Sequence, residues 1–241
     1  MKKLSYPLLA VLGLFSMTMA KAQTADDIIN KYFEAMGGKE KLKAVKSMQV
    51  ESSLEVMGND APTNRYWLDG KAYKNETEFS GQKIIQCVTD TGGWSVNPMA
   101  GQTSPEPIPD EVRKAAKIQT HVYPLLDFAS RGDRVELLGR DSVNGVNAYK
   151  VKFTSRDSVE ILFYFDPSTY YIAKVVVIGT MQGQDATTMI EFSNYQKTDF
   201  GVMFAMTEKI TLPQGITLTL TNKKIDINKE IDPNIFVMPK S

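Results

Sequence analysis

The hydrophobic pattern divides the chain into a helical opening, two long runs of strands and a stretch between them that follows neither period. Ile28, Ile29, Tyr32, Phe33 and Met36 recur at helical spacing and form one apolar stripe. Thr24 is placed to cap that helix, Asp27 stands where a capping-box acid belongs, and Gly37-Gly38 ends it. A short basic helix over 39–45 follows. The period then becomes two: Met48, Val50, Leu54 and Val56 alternate with Gln49, Glu51, Ser53 and Glu55. Further strands are expected at 64–68, 72–79, 83–89 and 93–97, punctuated by Asp69-Gly70, Ser80-Gly81 and Thr91-Gly92. Pro98 breaks the meander. Residues 99–109 read as a loop rich in Pro, Gly and Ser, and two helical segments are expected at about 109–119 and 121–130. Strands resume at 134–138 and 146–154, and five more follow to residue 228, most joined by tight turns.

The densest apolar run is 158–179, two strands around a type I turn at Asp166-Pro167-Ser168-Thr169. Ile161, Phe163 and Phe165 point one way, Leu162 and Tyr164 the other; Val175 and Val177 oppose Val176 and Ile178. A half-solvated sheet would leave one face polar, so this hairpin needs cover on both sides. About a dozen strands joined this way predict one wide antiparallel sheet, which must curl or close. The expected fold class is mainly β with a few helices: a large curved antiparallel sheet, a half-open β-barrel, with helices over its concave face.

Composition narrows the function. The chain has 241 residues and a formal net charge of 0, so a nucleic-acid partner is not indicated. Lys2 and Lys3, an apolar run over 8–15 and Ala20-Lys21-Ala22 spell a cleaved secretory signal peptide, residues 1–22, and leave 23–241 as one domain. Removing Lys2, Lys3 and Lys21 leaves 25 basic against 28 acidic residues, a charge of −3. The apolar run is too short to span a membrane. Cys87 is the single cysteine and has no partner for an internal disulfide.

Catalytic signatures are sparse. His121 is the only histidine, and no nucleophile-elbow motif accompanies it. An enzyme would need it in a cleft beside an acid and a nucleophile. One histidine and one cysteine give no recognisable metal-ligand spacing, and no cofactor is indicated. The aromatic and methionine content points instead to an apolar binding surface. Its expected walls are Val50, Leu54, Trp67, Trp94, Val112, Tyr123, Leu126, Phe153, Phe163 and Val175.

The order of these signals resembles the periplasmic lipoprotein-carrier (LolA-like) superfamily, and within it the outer membrane lipoprotein-sorting proteins of Bacteroidetes-type bacteria. The resemblance rests on residues 25–45, with Lys31-Tyr32, Ala35-Met36-Gly37-Gly38 and Lys41-Leu42; on Gly93-Trp94 with Pro98; and on Phe165-Asp166-Pro167. Asn194-Tyr195 before Phe200-Gly201-Val202, and residues 232–239, complete it. It implies helices acting as a lid over an apolar cavity that takes acyl chains of lipids or lipoproteins bound for the outer membrane. It further implies a periplasmic, non-catalytic, monomeric carrier with envelope donor and acceptor proteins. Carriers of that family latch the lid with an arginine on an early strand. Arg65 falls in that region, but the residues around it do not match, so the role does not transfer. The alternative is a structural or interaction module of the envelope, a sensor or assembly factor, whose cavity is filled by its own side chains.

Overall fold

The computed structural model describes residues 23–56, 58–181 and 184–240; the expected signal peptide, residues 1–22, lies outside them. Helix α1 (Ala25–Ala35) starts on a reciprocal capping box. The Thr24 hydroxyl accepts the Asp27 N–H at 3.2 Å, and the Asp27 carboxylate accepts the Thr24 N–H at 3.0 Å. Its stripe is buried as the spacing predicts, and the short α2 (Lys39–Lys43) buries Leu42. Gly37 joins them at φ 120°. A Cβ there would stand 2.9 Å from the Gly201 carbonyl, so glycine lets the helix end settle on the 198–202 turn, where the Met203 N–H donates to the Met36 carbonyl at 2.9 Å.

Among the described residues thirteen strands form one antiparallel sheet. The first half comprises β1 (Ser47–Val56), β2 (Asn59–Leu68), β3 (Ala72–Phe79), β4 (Gln82–Thr89), β5 (Gly93–Asn97) and β6 (Gln102–Pro107). The second comprises β7 (Arg134–Val143), β8 (Val146–Thr154), β9 (Glu160–Phe165), β10 (Ile172–Met181), β11 (Gln184–Lys197), β12 (Met203–Thr211) and β13 (Thr217–Ile227). Each half is a meander of sequential hairpins, and the β1–β13 pair is the seam between them. β6 and β7 form the two edges and do not pair with each other, so the curved sheet is a half-open barrel. The chain from β6 to β7 supplies its remaining helix, α3 (Asp110–Ala116).

Four expectations change. Residues 102–107 are the edge strand β6 rather than loop; its prolines at 105 and 107 suit an edge, where N–H groups have no ladder partner. The helix expected over 121–130 does not form. Pro124 lacks an N–H and disfavours helical backbone at Tyr123, Asp127 takes φ 49°, and the stretch makes turns and one 3-10 turn at Phe128–Arg131. β7 runs on to Val143 because Gly139, φ 103°, absorbs a bulge instead of ending the strand. The Asp166 turn is also wider than a type I turn: the Tyr170 N–H, not that of Thr169, closes on the Asp166 carbonyl at 2.8 Å.

The register assigns the faces. Leu137, Val151, Phe163, Val175, Ile190, Ile210 and Leu218 pair across seven strands on the inner face. α1, α2 and residues 122–126 pack on that side, against Phe153, Phe163 and Phe165. Tyr164 and Val176 face outward with Val143 and Ala148. The Tyr164 ring is covered not by a second helix but by lysines: the Lys174 and Lys150 ammoniums stand 4.2 and 5.6 Å from its centroid, and Leu162 and Ala173 flank the cluster. The outer face of β3–β5 has a different cover, the C-terminal 3-10 turn Pro233–Phe236.

Candidate functional site

The inner face has three zones. The first lies under the helices. Tyr32 meets Phe165 edge-on at 5.6 Å, Phe153 meets Phe163 at 6.2 Å, and Tyr123 and Leu125 are buried among them. This end is filled by the chain's own side chains.

The second zone is a buried polar network on the strands around the seam. The Arg65 guanidinium forks onto the Glu208 carboxylate, at 3.1 Å from Nη1 and 2.7 Å from Nη2. Nη2 also donates to Asn222 Oδ1 at 2.7 Å, and that oxygen accepts the Ser52 hydroxyl at 2.7 Å. The Asn222 amide donates to Glu208 Oε1 at 3.1 Å and to the Ala205 carbonyl at 2.8 Å. Burial alone would lower the Arg65 pKa; the Glu208 charge and hydrogen bonds more than reverse this and hold the guanidinium charged. Burial pushes the neighbouring Tyr73 hydroxyl up to about 12. The bonded groups come from four strands, β1, β2, β12 and β13, so the network ties the seam together.

Trp67 connects the network to the crossing segment. Its ring lies 5.6 Å from the Arg65 guanidinium carbon and 4.8 Å from the Tyr73 ring, and its indole N–H donates to the Gln119 carbonyl at 2.9 Å. Beside it the Gly70 N–H donates to the Thr120 carbonyl at 3.0 Å, and the Val122 N–H to Asp69 Oδ1 at 2.9 Å. Lys39 and Lys43 hold Asp127 at 3.6 and 3.2 Å. The segment that crosses the inner face is thus tied to the β2–β3 turn at one end and to α2 at the other.

The third zone is apolar and only half-buried. Leu54, Val177, Ile190, Phe192, Ile210 and Leu218 share the inner face by register, in rows that continue from the packed end. An apolar strip left half-exposed in a trough can take a hydrocarbon chain by excluding water, with no directional chemistry.

The expected wall residues divide among these surroundings. Val50, Tyr123, Phe153, Phe163 and Val175 are buried in the packed inner core, with Trp67 beside them. Leu54 and Leu126 are half-buried. Trp94 lies on the outer face: its row runs through Cys87 and Lys74, opposite to that of Trp67, and its indole donates to the Phe236 carbonyl at 2.9 Å. Val112 is 46% exposed on α3, whose one buried residue is Ala116. Neither borders the trough. The strip residues of β11–β13 were not singled out by sequence, nor was the Glu208–Asn222 network. A signal was present, since Asn222 shares strand parity with Leu218 and Leu220, and Glu208 with Ile210.

His121 is half-buried in a separate cleft with Asp133, Ser130 and Ser155. The imidazole bonds to none of them. Asp133 is held by Arg131 at 2.9 Å and by the Arg156 N–H at 3.1 Å, and the Ser155 hydroxyl accepts the Val159 N–H at 3.0 Å. No catalytic relay is assembled. Among the described residues no group of three or more His, Cys, Asp or Glu is placed to hold a metal ion.

No family model matches the chain, and no curated protein matches it. Solved structures do. A LolA superfamily protein from Nitrosomonas europaea aligns over 90% of this chain and 98% of its own, with TM-score 0.59 and 16% identity. An outer membrane lipoprotein-sorting protein domain from Vibrio parahaemolyticus covers 87% and 94%, with TM-score 0.55 and 15% identity. A DUF1329 family protein from Desulfovibrio piger covers 87% and 97%, with TM-score 0.55 and 13% identity. At these identities the likeness is one of fold.

Proposed function

We propose, from a fold shared with LolA-superfamily and lipoprotein-sorting structures, that this protein is a non-catalytic periplasmic carrier. Residues 23–241, freed of their signal peptide, act as one binding domain for the acyl chains of lipids or lipoproteins on their way to the outer membrane. The observation that supports the reading is the half-buried inner strip of Leu54, Ile190, Ile210 and Leu218, which lies outside the packed clusters and meets them at Val177 and Phe192. Each methylene laid against it contributes about 0.8 kcal/mol. No helix among the described residues is long and apolar enough to cross a membrane. Native mass spectrometry of protein purified from its own periplasm, with uptake of a fluorescent fatty acid by the delipidated protein, tests the reading. A copurified lipid that the fatty acid displaces is expected; no bound lipid and no uptake would overturn it.

A second reading has its own observation. The packed end of the inner face, where Val50, Phe153 and Leu125 are fully covered, suits an envelope interaction module with a self-filled interior. Such a module would take up no fatty acid in the same experiment.

A further inference from the structure

The cleft around His121 lies outside the trough. It encloses about 370 Å³ where the turns of the two half-sheets meet: Gly70 and Asp90 on one side, Ser155 to Asp157 on the other. Several of its charged groups are already committed. Arg131 is bonded to Asp133 and to the carbonyls of Leu126 and Pro124, and Lys114 is paired with Asp110 at 2.9 Å. Four are not. Lys117 and Arg156 supply positive charge, Asp90 and Asp157 negative charge; none of these four side chains makes an ion pair or side-chain hydrogen bond among the described residues, and Asp157 feels the Lys114 charge without bonding to it. A cleft with uncommitted charges of both signs is matched by a ligand carrying both signs. One wall is closed by Gly70, where a Cβ would stand 3.4 Å from the imidazole. Ile118 lines the cleft and also packs against the inner core, so it borders both this polar space and the apolar interior.

We propose that the cleft receives the zwitterionic head of an amphiphile, a phosphodiester bearing a primary ammonium. Lys117 and Arg156 take the phosphate, and Asp90 and Asp157 the ammonium. The proposal rests on the carrier reading for the chain that follows the head, and not for the head itself.

The test uses the full chain without its leader and three soluble probes, followed by calorimetry: dihexanoylphosphatidylethanolamine, dihexanoylphosphatidylglycerol and chain-free glycerophosphoethanolamine. The ethanolamine lipid should bind at least tenfold tighter than the glycerol lipid. That preference should vanish in Lys117→Gln/Arg156→Gln and in Asp90→Asn/Asp157→Asn, while fluorescent fatty-acid uptake stays at the wild-type level. Uptake without a head preference, or a preference that survives both double variants, would overturn the head site and leave the carrier reading intact. Head-dependent binding without fatty-acid uptake would support the site and overturn the carrier. Equal binding of the chain-free probe, with the same sensitivity to the variants, would support the site with a free zwitterionic diester as its source.

Discussion

Trp67 and Gln119 are joined across the inner face: the indole of β2 donates at 2.9 Å to the backbone carbonyl of the crossing segment. Trp67→Phe removes the donor and keeps most of the packing. It should cost about 1 kcal/mol in urea denaturation. The larger effect should be local, with faster amide exchange at Gly70 and Val122, whose N–H groups make the ties between the 69–70 turn and the crossing segment beside the lost one. An unchanged exchange pattern would mean that the other ties suffice.

The Arg65–Glu208 pair is nearly dry, with side chains 12% and 9% exposed. Glu208→Leu strands a buried cation and should cost about 3–5 kcal/mol. Arg65→Met/Glu208→Leu removes both charges and should recover at least half of that loss. Chemical denaturation of the three proteins reads the difference.

Phe163 and Phe192 share a sheet face but differ in cover. Phe163→Ala opens a cavity under the helices and should cost about 3–5 kcal/mol. Phe192→Ser, on the half-exposed strip, should cost less than half as much and lower fatty-acid uptake. A binding loss that tracks stability in both variants would count against the strip as the acyl site.

Cys87 should be inert in the folded protein. It is fully buried, burial pushes its thiol up to about 12, and it donates to the Phe236 carbonyl at 3.4 Å. Deleting residues 230–241 removes the turn that covers it. The truncated protein should react with an aromatic disulfide reagent within minutes, where the intact protein does so only on unfolding.

His121 should make folding pH-sensitive. Burial first, then the Arg131 charge, hold its pKa below 6.5, against the opposing pull of Asp69 and Asp133. The unfolded chain therefore binds the proton more readily than the native one. His121 imposes no penalty above pH 6.5, and stability falls as the pH drops from there through the folded value. His121→Gln should flatten that part of the curve, read as melting temperature against pH.

Local rules were legible in the sequence where nothing distant competes with them. Thr24 and Asp27 form their capping box, Asp69-Gly70 turns, and the 158–179 hairpin has the faces its alternation gives. Strand parity alone did not say which face lies inside. Trp67 and Trp94 read alike as strand aromatics, and only the pairing through Tyr73 and Val88, or through Lys74 and Cys87, places them on opposite faces. Val112 fits an apolar helical face, but α3 is too short to bury it. The Arg65–Glu208–Asn222 network was the least accessible, because its members come from sequence positions up to 157 apart.

The seam sets an order of events in time. Every other strand pair can form as soon as its hairpin exists, but Ser52 must wait for Asn222, 170 residues later. At synthesis rates of roughly 5–20 residues per second that interval is on the order of ten seconds or more. Until then β1 presents an unpaired edge to its surroundings. A chain truncated before β13 should accumulate as two unjoined meanders.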